Sequence, residues 1–223
     1  MASKMFPFIT CTWNPLGGEC LHKCSYCWAK TLIDKYQMKK YQGKPRLITH
    51  ELTRKFAKTD FVFVCDMTDL FGHWVPSEII EAILEYIHKS PATFLLLTKN
   101  PWRYREFKIP VNCVCGATIE SDIDHELTGP PEAHRILAMV MLKNVRKMVS
   151  IEPVMEFTPD FQQDICNIYP EFVAIGYDNY CNHLDEPELE DVEALIHGFE
   201  NRGIRVYRKS LQEAWNHAEV RSK

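Results

Sequence analysis

Seven short hydrophobic segments recur along the chain, at intervals that leave room for a helix between them. They are FPFITCTW (6–13), FVFVCD (61–66), TFLLLTK (93–99), VNCVCGATI (111–119), KMVSIEP (147–153), FVAIGYD (172–178) and IRVYRKS (204–210). Their β-branched and aromatic residues are typical of buried strands. Helical spacing links Ile79, Ile80, Ile83, Leu84 and Ile87 after Pro76, and Leu189, Val192, Leu195, Ile196 and Phe199 after Pro187. Alternating strands and helices predict a parallel sheet.

The number of strand and helix units limits the architecture. Six or seven units are too few for a closed barrel of eight, but they suffice for an open, partial barrel. We therefore expect an α/β fold of the partial (β/α)6 type, with a mainly parallel sheet. We expect one domain over residues 1–223, including a C-terminal extension over about 204–223.

In parallel α/β folds, functional residues gather at the carboxyl ends of the strands. This rule selects a set of polar candidates: Asn14, Cys65, Asp66, Thr68, Asp69, Thr98, Lys99, Glu120, Glu152, Tyr177, Asp178, Arg208 and Lys209. The rule assigns a location to these residues but no chemistry.

Composition places the chain among globular proteins, since 46% of its 223 residues are hydrophobic. No stretch approaches the roughly 18 apolar residues of a membrane span, and the start MASKMFPFITCTW lacks the zones of a signal peptide. We therefore expect a cytoplasmic protein that does not contact membranes.

Charge is unevenly distributed along the chain. Residues 1–60 hold 11 Lys/Arg and 4 Asp/Glu, whereas nine Asp/Glu and no Lys/Arg lie between Glu171 and Glu200. The basic part could follow phosphates, dock an acidic electron donor, or form a solvated helix face. Because the acidic part would repel a polyanion, nucleic acid is the less expected partner.

Three of the nine cysteines lie together in the segment GGECLHKCSYCWAK, which follows the first predicted strand. Cys20, Cys24 and Cys27 have the spacing Cys-x3-Cys-x2-Cys, within a loop over residues 17–28, called here the cysteine loop. Three thiolates in one short loop can hold an iron–sulfur cube and leave its fourth iron open.

A structural zinc ion is the alternative for these thiols. It would need a fourth ligand, and both His22 and Cys11 are near in sequence. However, zinc sites usually contain two paired knuckles, and no second Cys-x2-Cys occurs in the chain. On this alternative the chain would be a zinc-stabilised interaction protein rather than an enzyme.

The cysteine motif, with Tyr26 at its aromatic position, resembles the signature Cys-x3-Cys-x-aromatic-Cys of the radical S-adenosylmethionine superfamily. The likeness covers most of the chain, because the order of predicted strands is similar to that superfamily's partial barrel. The segments TWNPLGGEC, SYCWAK, VCDMTDLF, LLLTKNPWRY, GATIESD, VSIEPV and AIGYD further resemble a small three-cysteine group related to the spore photoproduct lyases.

This resemblance implies two cofactors, a 4Fe-4S cluster on the three cysteines and S-adenosyl-L-methionine on the open iron. In that superfamily one electron yields a 5′-deoxyadenosyl radical, which abstracts hydrogen from the substrate. The cofactors carry the difficult chemistry, and the protein supplies placement and dryness. The electron would come from a flavodoxin- or ferredoxin-like donor, for which Lys39, Lys40 and Lys44 are candidate docking residues.

Strand-end residues provide candidates for binding S-adenosylmethionine. Its ammonium needs an acceptor, and the turn containing Asp66 and Thr68 falls where the superfamily binds that group. Lys99 could pair with the methionyl carboxylate, and Glu120 could accept the ribose hydroxyls. Tyr26 and Trp28 flank Cys27, where an aromatic face could lie on adenine. Caps and structural ion pairs remain alternative roles for the charged residues.

Substrate and catalytic candidates follow from chemistry at the strand ends. A carboxylate matches the paired N–H donors of a guanine-like edge, which makes Glu152 and Asp178 both substrate-binding and catalytic candidates. Cys65 could donate hydrogen to a substrate radical. The further substrate-binding candidates are Asn14, Asp69, Tyr177 and Arg208.

The chain also resembles the queuine lyases of gut clostridia, which cleave a C–N bond of the free base queuine and release 7-aminomethyl-7-deazaguanine. That resemblance implies a small 7-deazaguanine-type substrate and a lid, with Trp13, Trp74, Trp102 or residues 177–180 as candidates. A DNA photoproduct lyase-like enzyme is the rival interpretation. It draws on the basic segment from Lys30 to Lys58 and requires strongly salt-dependent DNA binding.

Overall fold

The computed structural model describes residues 6–125 and 129–211. Its strands are β1 Cys11–Trp13, β2 Leu16–Gly17, β3 Arg46–Leu47, β4 Phe61–Val64, β5 Thr93–Thr98, β6 Cys113–Thr118, β7 Arg146–Ile151, β8 Phe172–Ile175 and β9 Arg205–Arg208. Its α-helices are α1 Trp28–Tyr36, α2 Ser77–His88, α3 Glu132–Met141, α4 Phe161–Asn167 and α5 Leu189–Asn201. Short 3₁₀ helices cover Lys39–Tyr41, Thr49–Thr53 and Pro101–Glu106. Each predicted strand segment contains or overlaps a strand.

Seven strands form one parallel sheet, in the order β1-β4-β5-β6-β7-β8-β9, which curls into a half-barrel. Every neighbouring pair in it runs parallel. The order across the sheet follows the order along the chain, so every strand ends at the same edge. The prediction of an α/β fold with a mainly parallel, partial-barrel sheet is confirmed at this level.

One face of the sheet packs against the helices. Val62, Phe94, Val149 and Val173 lie on this face, and together with residues such as Ile80 of α2 they form the larger hydrophobic core. Phe94 has no exposed surface, and its ring lies 5.5 Å from that of Phe56 and 6.0 Å from that of Trp13. Both faces of the strands are buried, which explains their nearly continuous hydrophobic sequences.

The opposite, concave face is filled by the segment that precedes β1. Phe6 and Ile9 pack there with alternate strand residues that include Phe63, Leu95 and Val114. The ring of Phe8 lies 5.3 Å from Phe61, 4.9 Å from Phe172 and 4.7 Å from Tyr207. One ring therefore contacts strands near both ends of the sheet, as a curled sheet requires.

A two-stranded antiparallel ribbon of β2 and β3 supports the start of the cysteine loop. Gly18 N donates to Lys40 O at 2.9 Å, and the guanidinium of Arg46 binds the carbonyls of Lys39, Lys40, Gln42 and Lys44. Gly18 has φ +110°, and a Cβ there would lie 2.7 Å from Lys44 O. Glycine is therefore required at this position.

The C-terminal part of the chain adds the last strand of the sheet. Of the extension expected over about 204–223, Arg205–Arg208 form β9, and residues 212–223 lie outside the described residues. In the described ranges, no helix has the length and apolar character needed to cross a bilayer.

The packing of Phe94 yields a stability prediction. We expect Phe94→Ala to lower the free energy of unfolding by about 3–5 kcal/mol, because it removes a buried ring and leaves a cavity. Val111→Ala is the control, since Val111 is 93% exposed and should change stability by less than about 0.5 kcal/mol. Urea denaturation of both variants measures the difference, and equal midpoints would contradict the assigned core.

Candidate functional site

A cavity of about 430 Å³ opens at the edge of the sheet where the strands end. Its size lies in the range of small-molecule sites. The sequence-predicted residues that line it are Cys20, Cys24, Tyr26, Cys27, Trp28, Cys65, Asp66, Thr68, Asp69, Thr98, Lys99, Glu152, Tyr177, Asp178 and Lys209. Asn14, Glu120 and Arg208 do not line it. The strand-end rule thus brings most of the candidates to one place.

The cysteine loop runs from β2 to the start of α1. Cys27 is the N-cap of α1, and its sulfur accepts a hydrogen bond from Lys30 N at 3.4 Å. Burial raises the pKa of the Cys27 thiol, and the bond from Lys30 acts in the opposite direction. Burial, with the nearby Asp69 charge, raises the pKa of Cys20 to about 12. A bound metal would favour the thiolates by supplying positive charge.

His22 anchors the cysteine loop to the sheet through Asp69. His22 is 5% exposed, and its Nε2 lies 2.8 Å from Asp69 Oδ2. The Asp69 carboxylate also accepts hydrogen bonds from Thr98 Oγ1, Lys99 N and Phe71 N. Burial would raise the pKa of Asp69, but these donors and the His22 interaction lower it below its usual value. Sequence reasoning missed this anchor, having considered His22 only as a zinc ligand.

Asp69 therefore differs from its predicted role as a substrate ligand. Its two oxygens accept hydrogen bonds from donors on the turn after β4 and on β5, so little accepting capacity is left for a ligand. A carboxylate placed between two strand ends is surrounded by backbone and side-chain donors, and these donors use its hydrogen-bond accepting positions. Asp69 positions the loop instead.

A buried charge network stands behind the wall beside Tyr26. Glu120 Oε1 lies 2.6 Å from Lys99 Nζ and accepts the hydroxyl of Tyr26, and its Oε2 lies 2.6 Å from Arg135 Nη1. Arg135 also pairs with Glu132 at the start of α3. Glu120 has no exposed surface. It therefore orients Tyr26 and Lys99 from below, rather than facing a ribose as predicted.

Lys99 lines the cavity, and its ammonium nitrogen is buried in the wall. Although Nζ forms an ion pair with Glu120, it makes no aligned hydrogen bond within the described residues. It also lies 4.7 Å from the centre of the Tyr26 ring. A buried ammonium with unused donors, lining a cavity beside the thiols, fits a ligand carboxylate.

Asp66 and Cys65 lie at the end of β4. Asp66 lines the cavity and accepts a hydrogen bond from Asn14 Nδ2 at 2.5 Å, so Asn14 acts from behind the wall. Burial raises the pKa of Asp66. Cys65 has a left-handed backbone (φ 57°), and burial raises the pKa of its thiol. Thr68, 8% exposed, completes this part of the wall.

Glu152 and Lys209 form an ion pair on the opposite side of the cavity. Lys209 Nζ lies 2.5 Å from Glu152 Oε1 and also contacts Oε2. Desolvation raises the pKa of Glu152, and the charge of Lys209 opposes that shift. Lys209 was a strand-end candidate without an assigned role, so its place in the cavity is a finding of the structure.

Arg208 points away from the cavity, contrary to its predicted role in binding substrate. Its Nη1 lies 2.8 Å from Glu193 Oε2, on α5. Neighbouring residues of a strand point to opposite faces, so Lys209 faces the cavity when Arg208 faces outward.

Asp178 and Tyr177 shape a turn at the cavity mouth. The Asp178 carboxylate accepts hydrogen bonds from Tyr180 N, Asn182 N and Asn182 Nδ2. Tyr177 has no exposed surface, and its hydroxyl donates to Pro187 O at 3.0 Å. Both predicted substrate ligands therefore act structurally here. Tyr180, 61% exposed, is the aromatic residue of this turn placed to cover the mouth.

Trp13 is excluded as a lid. It is fully buried in the larger core, and its indole donates to Glu51 O at 3.0 Å. Trp74 contacts His22, with ring centres 4.8 Å apart, so it packs against the anchor of the cysteine loop.

In the described part of the chain, no three His, Cys, Asp or Glu side chains converge as ligands of a single ion. That criterion does not apply to a cube, in which each thiolate binds a different iron. The three cysteines line the same cavity, and the charge of Cys24 acts on both Cys20 and Cys27. The donor set is thus chemically suited to an iron–sulfur cluster.

Comparison with known proteins relates most of the chain to a protein family. Residues 4–218 match a protein family with the description "Protein of unknown function (DUF5131)". No curated protein and no solved structure is significantly similar to the chain. The chemistry of the cavity must therefore be argued from its own residues.

The Glu120 network predicts a pH-dependent contribution to stability. Burial alone would raise the pKa of Glu120, but the charges of Lys99 and Arg135 lower it to about 2. A lowered folded-state pKa stabilises the fold above the unfolded value, and this contribution is lost as the pH falls from about 4.5 towards about 2. Over that interval the unfolding free energy of the wild type should fall by up to about 3 kcal/mol more than that of Glu120→Gln. Urea denaturation at several pH values measures this, and parallel profiles would contradict it.

Proposed function

Since the chain belongs to the DUF5131 family, whose description gives no function, we propose one from the site: a radical S-adenosylmethionine enzyme. Cys20, Cys24 and Cys27 hold its 4Fe-4S cluster. A single observation carries this proposal. The three-cysteine loop lines the same cavity as Lys99, a buried cation without an aligned hydrogen bond within the described residues. This combination suits a cluster with an amino-acid ligand beside it.

The cavity wall near the cysteines offers complementary groups for S-adenosyl-L-methionine. Lys99 pairs with the methionyl carboxylate, and Asp66 accepts from the ammonium, with Thr68 beside it. The faces of Tyr26 and Trp28 contact adenine. Once bound, the cluster and S-adenosylmethionine supply the radical that starts the reaction.

Several residues act without touching the cofactors. His22 and Asp69 fix the cysteine loop to β5 through buried hydrogen bonds. Glu120 orients Tyr26 and Lys99. Breaking one of these buried contacts would leave a buried charge without its partner, which is strongly destabilising. The contacts therefore hold the wall of the site in one arrangement.

Cys65 is proposed as the donor of the last hydrogen atom. It lines the cavity at the end of β4, and burial keeps its thiol in the protonated form by raising its pKa. A protonated thiol carries the S–H bond that donation requires, and the Cys65 thiyl radical left behind would take one electron from the electron donor and one proton to become the thiol again. Cysteine at this position therefore combines access to the cavity with the correct protonation state.

The proposed reaction is cleavage of a C–N bond in a small modified base, most specifically the conversion of queuine to 7-aminomethyl-7-deazaguanine. Support comes from the sequence resemblance and from a cavity of about 430 Å³ with a largely apolar wall. Glu152 provides an acceptor for the base. The exposed Tyr180 at the mouth can reduce access of water to the radical.

Anaerobic reconstitution tests this proposal. With S-adenosylmethionine, dithionite and queuine, the wild type should release 5′-deoxyadenosine and 7-aminomethyl-7-deazaguanine, detected by mass spectrometry. Cys24→Ala should abolish both products, because the cluster loses a ligand. Cys166→Ala, on α4 outside the cavity, is the matched control and should keep both. 5′-Deoxyadenosine alone would refute the substrate, and neither product together with bound zinc would refute the class.

The basic segment beside the cysteine loop is proposed as the docking surface for the acidic electron donor. Glu19 N donates to Gly43 O at 2.9 Å, so this segment packs against the base of the loop. Lys39 and Lys44 are exposed. Lys40, also a sequence candidate, pairs with Glu51 at 2.8 Å and is mainly structural.

Charge reversal tests this surface. Lys39→Glu with Lys44→Glu should slow turnover supported by a flavodoxin, because the acidic donor would be repelled, and should leave turnover with dithionite unchanged. Lys108→Glu, an exposed lysine that precedes β6, is the control and should behave as the wild type with both reductants. Equal slowing with both reductants would exclude docking at this surface.

A further inference from the structure

The acidic residues on the cavity wall differ in how much accepting capacity the protein leaves them. A carboxylate can accept about four hydrogen bonds. Asp69 accepts from four different donors, and Asp178 accepts from three. Glu152 has Lys209 as its one polar partner within the described residues. Glu152 therefore retains more accepting positions than either of the other two.

Lys209 is similarly under-used. Its ammonium has three N–H donors, and its contacts in the described part of the chain are Glu152 and the ring of Phe6, whose centre lies 4.6 Å away. The side chains of Lys209 and Glu152 are 11% and 18% exposed, and both line the cavity. A largely buried donor and a largely buried acceptor thus lie side by side, and each has hydrogen-bonding positions that its protein partners do not use.

A second Lys–Glu pair, Lys99 and Glu120, lies in and behind the cavity wall and differs from the first in its surroundings. In the Lys99–Glu120 pair the carboxylate is fully buried and is also held by Arg135 and Tyr26. Its glutamate cannot reach a ligand, whereas both members of the Glu152–Lys209 pair face the cavity. The Glu120 carboxylate is closed by its protein partners, whereas the Glu152 carboxylate is open to the cavity.

We propose that Glu152 and Lys209 together recognise the lactam edge of a planar heterocycle, in which a ring N–H lies next to a carbonyl. The carboxylate accepts the N–H, and the ammonium donates to the carbonyl oxygen. The idea rests on the proposed function in taking this cavity as the substrate site. Phe6 and Tyr180 supply apolar surface on the same wall, which suits a flat ring.

In the orientation that the lactam takes, the same geometry rejects an amidine edge, in which an amino group lies next to a bare ring nitrogen. That edge would place its donor against the donors of Lys209, and its acceptor against the acceptor Glu152. Both protein charges would then face an unmatched group in a largely buried site, which is a strong basis for discrimination. Lys209 is thereby assigned as a specificity-determining residue.

Two small probes test recognition of the lactam edge. 7-Deazaguanine has a lactam edge, and 7-deazaadenine has an amidine edge. Isothermal titration of the reconstituted wild type should show 7-deazaguanine binding about 10- to 100-fold more tightly. Equal affinities, or preference for 7-deazaadenine, would overturn the inference without any variant.

Variants then test whether the pair carries the discrimination. Lys209→Met and Glu152→Gln should each weaken binding of 7-deazaguanine by about 10-fold or more and reduce its advantage over 7-deazaadenine. The control is Glu193→Gln on α5. It removes the carboxylate charge that pairs with Arg208, the residue before Lys209, and should retain wild-type discrimination. A thermal melt of each variant checks folding, and preserved discrimination in a folded Lys209→Met protein would refute the role of Lys209.

Iron content and 5′-deoxyadenosine formation, measured on the same samples, separate the two proposals. Lactam discrimination without a cluster would support the recognition site and refute the radical enzyme. A cluster that cleaves S-adenosylmethionine, with no discrimination between the probes, would refute the recognition site alone.

Discussion

The carboxylate of Asp69 fixes the cysteine loop relative to the sheet, and the geometry of the cavity depends on that bond. This carboxylate is hydrogen-bonded to His22 of the loop, to the hydroxyl of Thr98 at the end of β5, and to the backbone N–H of Lys99, which follows β5. A short loop with three cysteines has few apolar residues left to pack, so a buried charge-assisted hydrogen bond supplies the rigidity that a hydrophobic contact would otherwise give. Asp69 links the fold to the chemistry without entering it.

Most central strands of the half-barrel could be predicted because both of their faces are buried, which makes strands such as β4, β5 and β8 short continuous hydrophobic runs. β2 and β3 could not be predicted, since two residues each are too few to show a period. The location of the site was predictable from the rule for strand ends. The orientation of individual side chains was not: Arg208 and Lys209 differ by one position, and one position reverses the face to which a strand residue points.

The acidic residues in and behind the cavity wall fall into two groups that sequence cannot separate. Donors of the protein occupy most of the accepting positions of the Glu120 and Asp178 carboxylates. Only some of those of Glu152 are occupied. All three are acidic residues at strand ends, and what distinguishes them is partners brought from distant parts of the chain, such as Arg135 on α3 and Lys209 after β9. A residue suited to bind a ligand is one whose hydrogen-bond donors or acceptors are not all used by protein partners after folding.

The ring of Phe8 has a consequence for how the chain acquires its structure. It contacts Phe61 but also Phe172 and Tyr207, which are far away in sequence. During synthesis, the inner face of the sheet stays uncovered on one side until the ninth strand has left the ribosome. Long-range contacts of this kind slow folding and leave apolar surface exposed until they form.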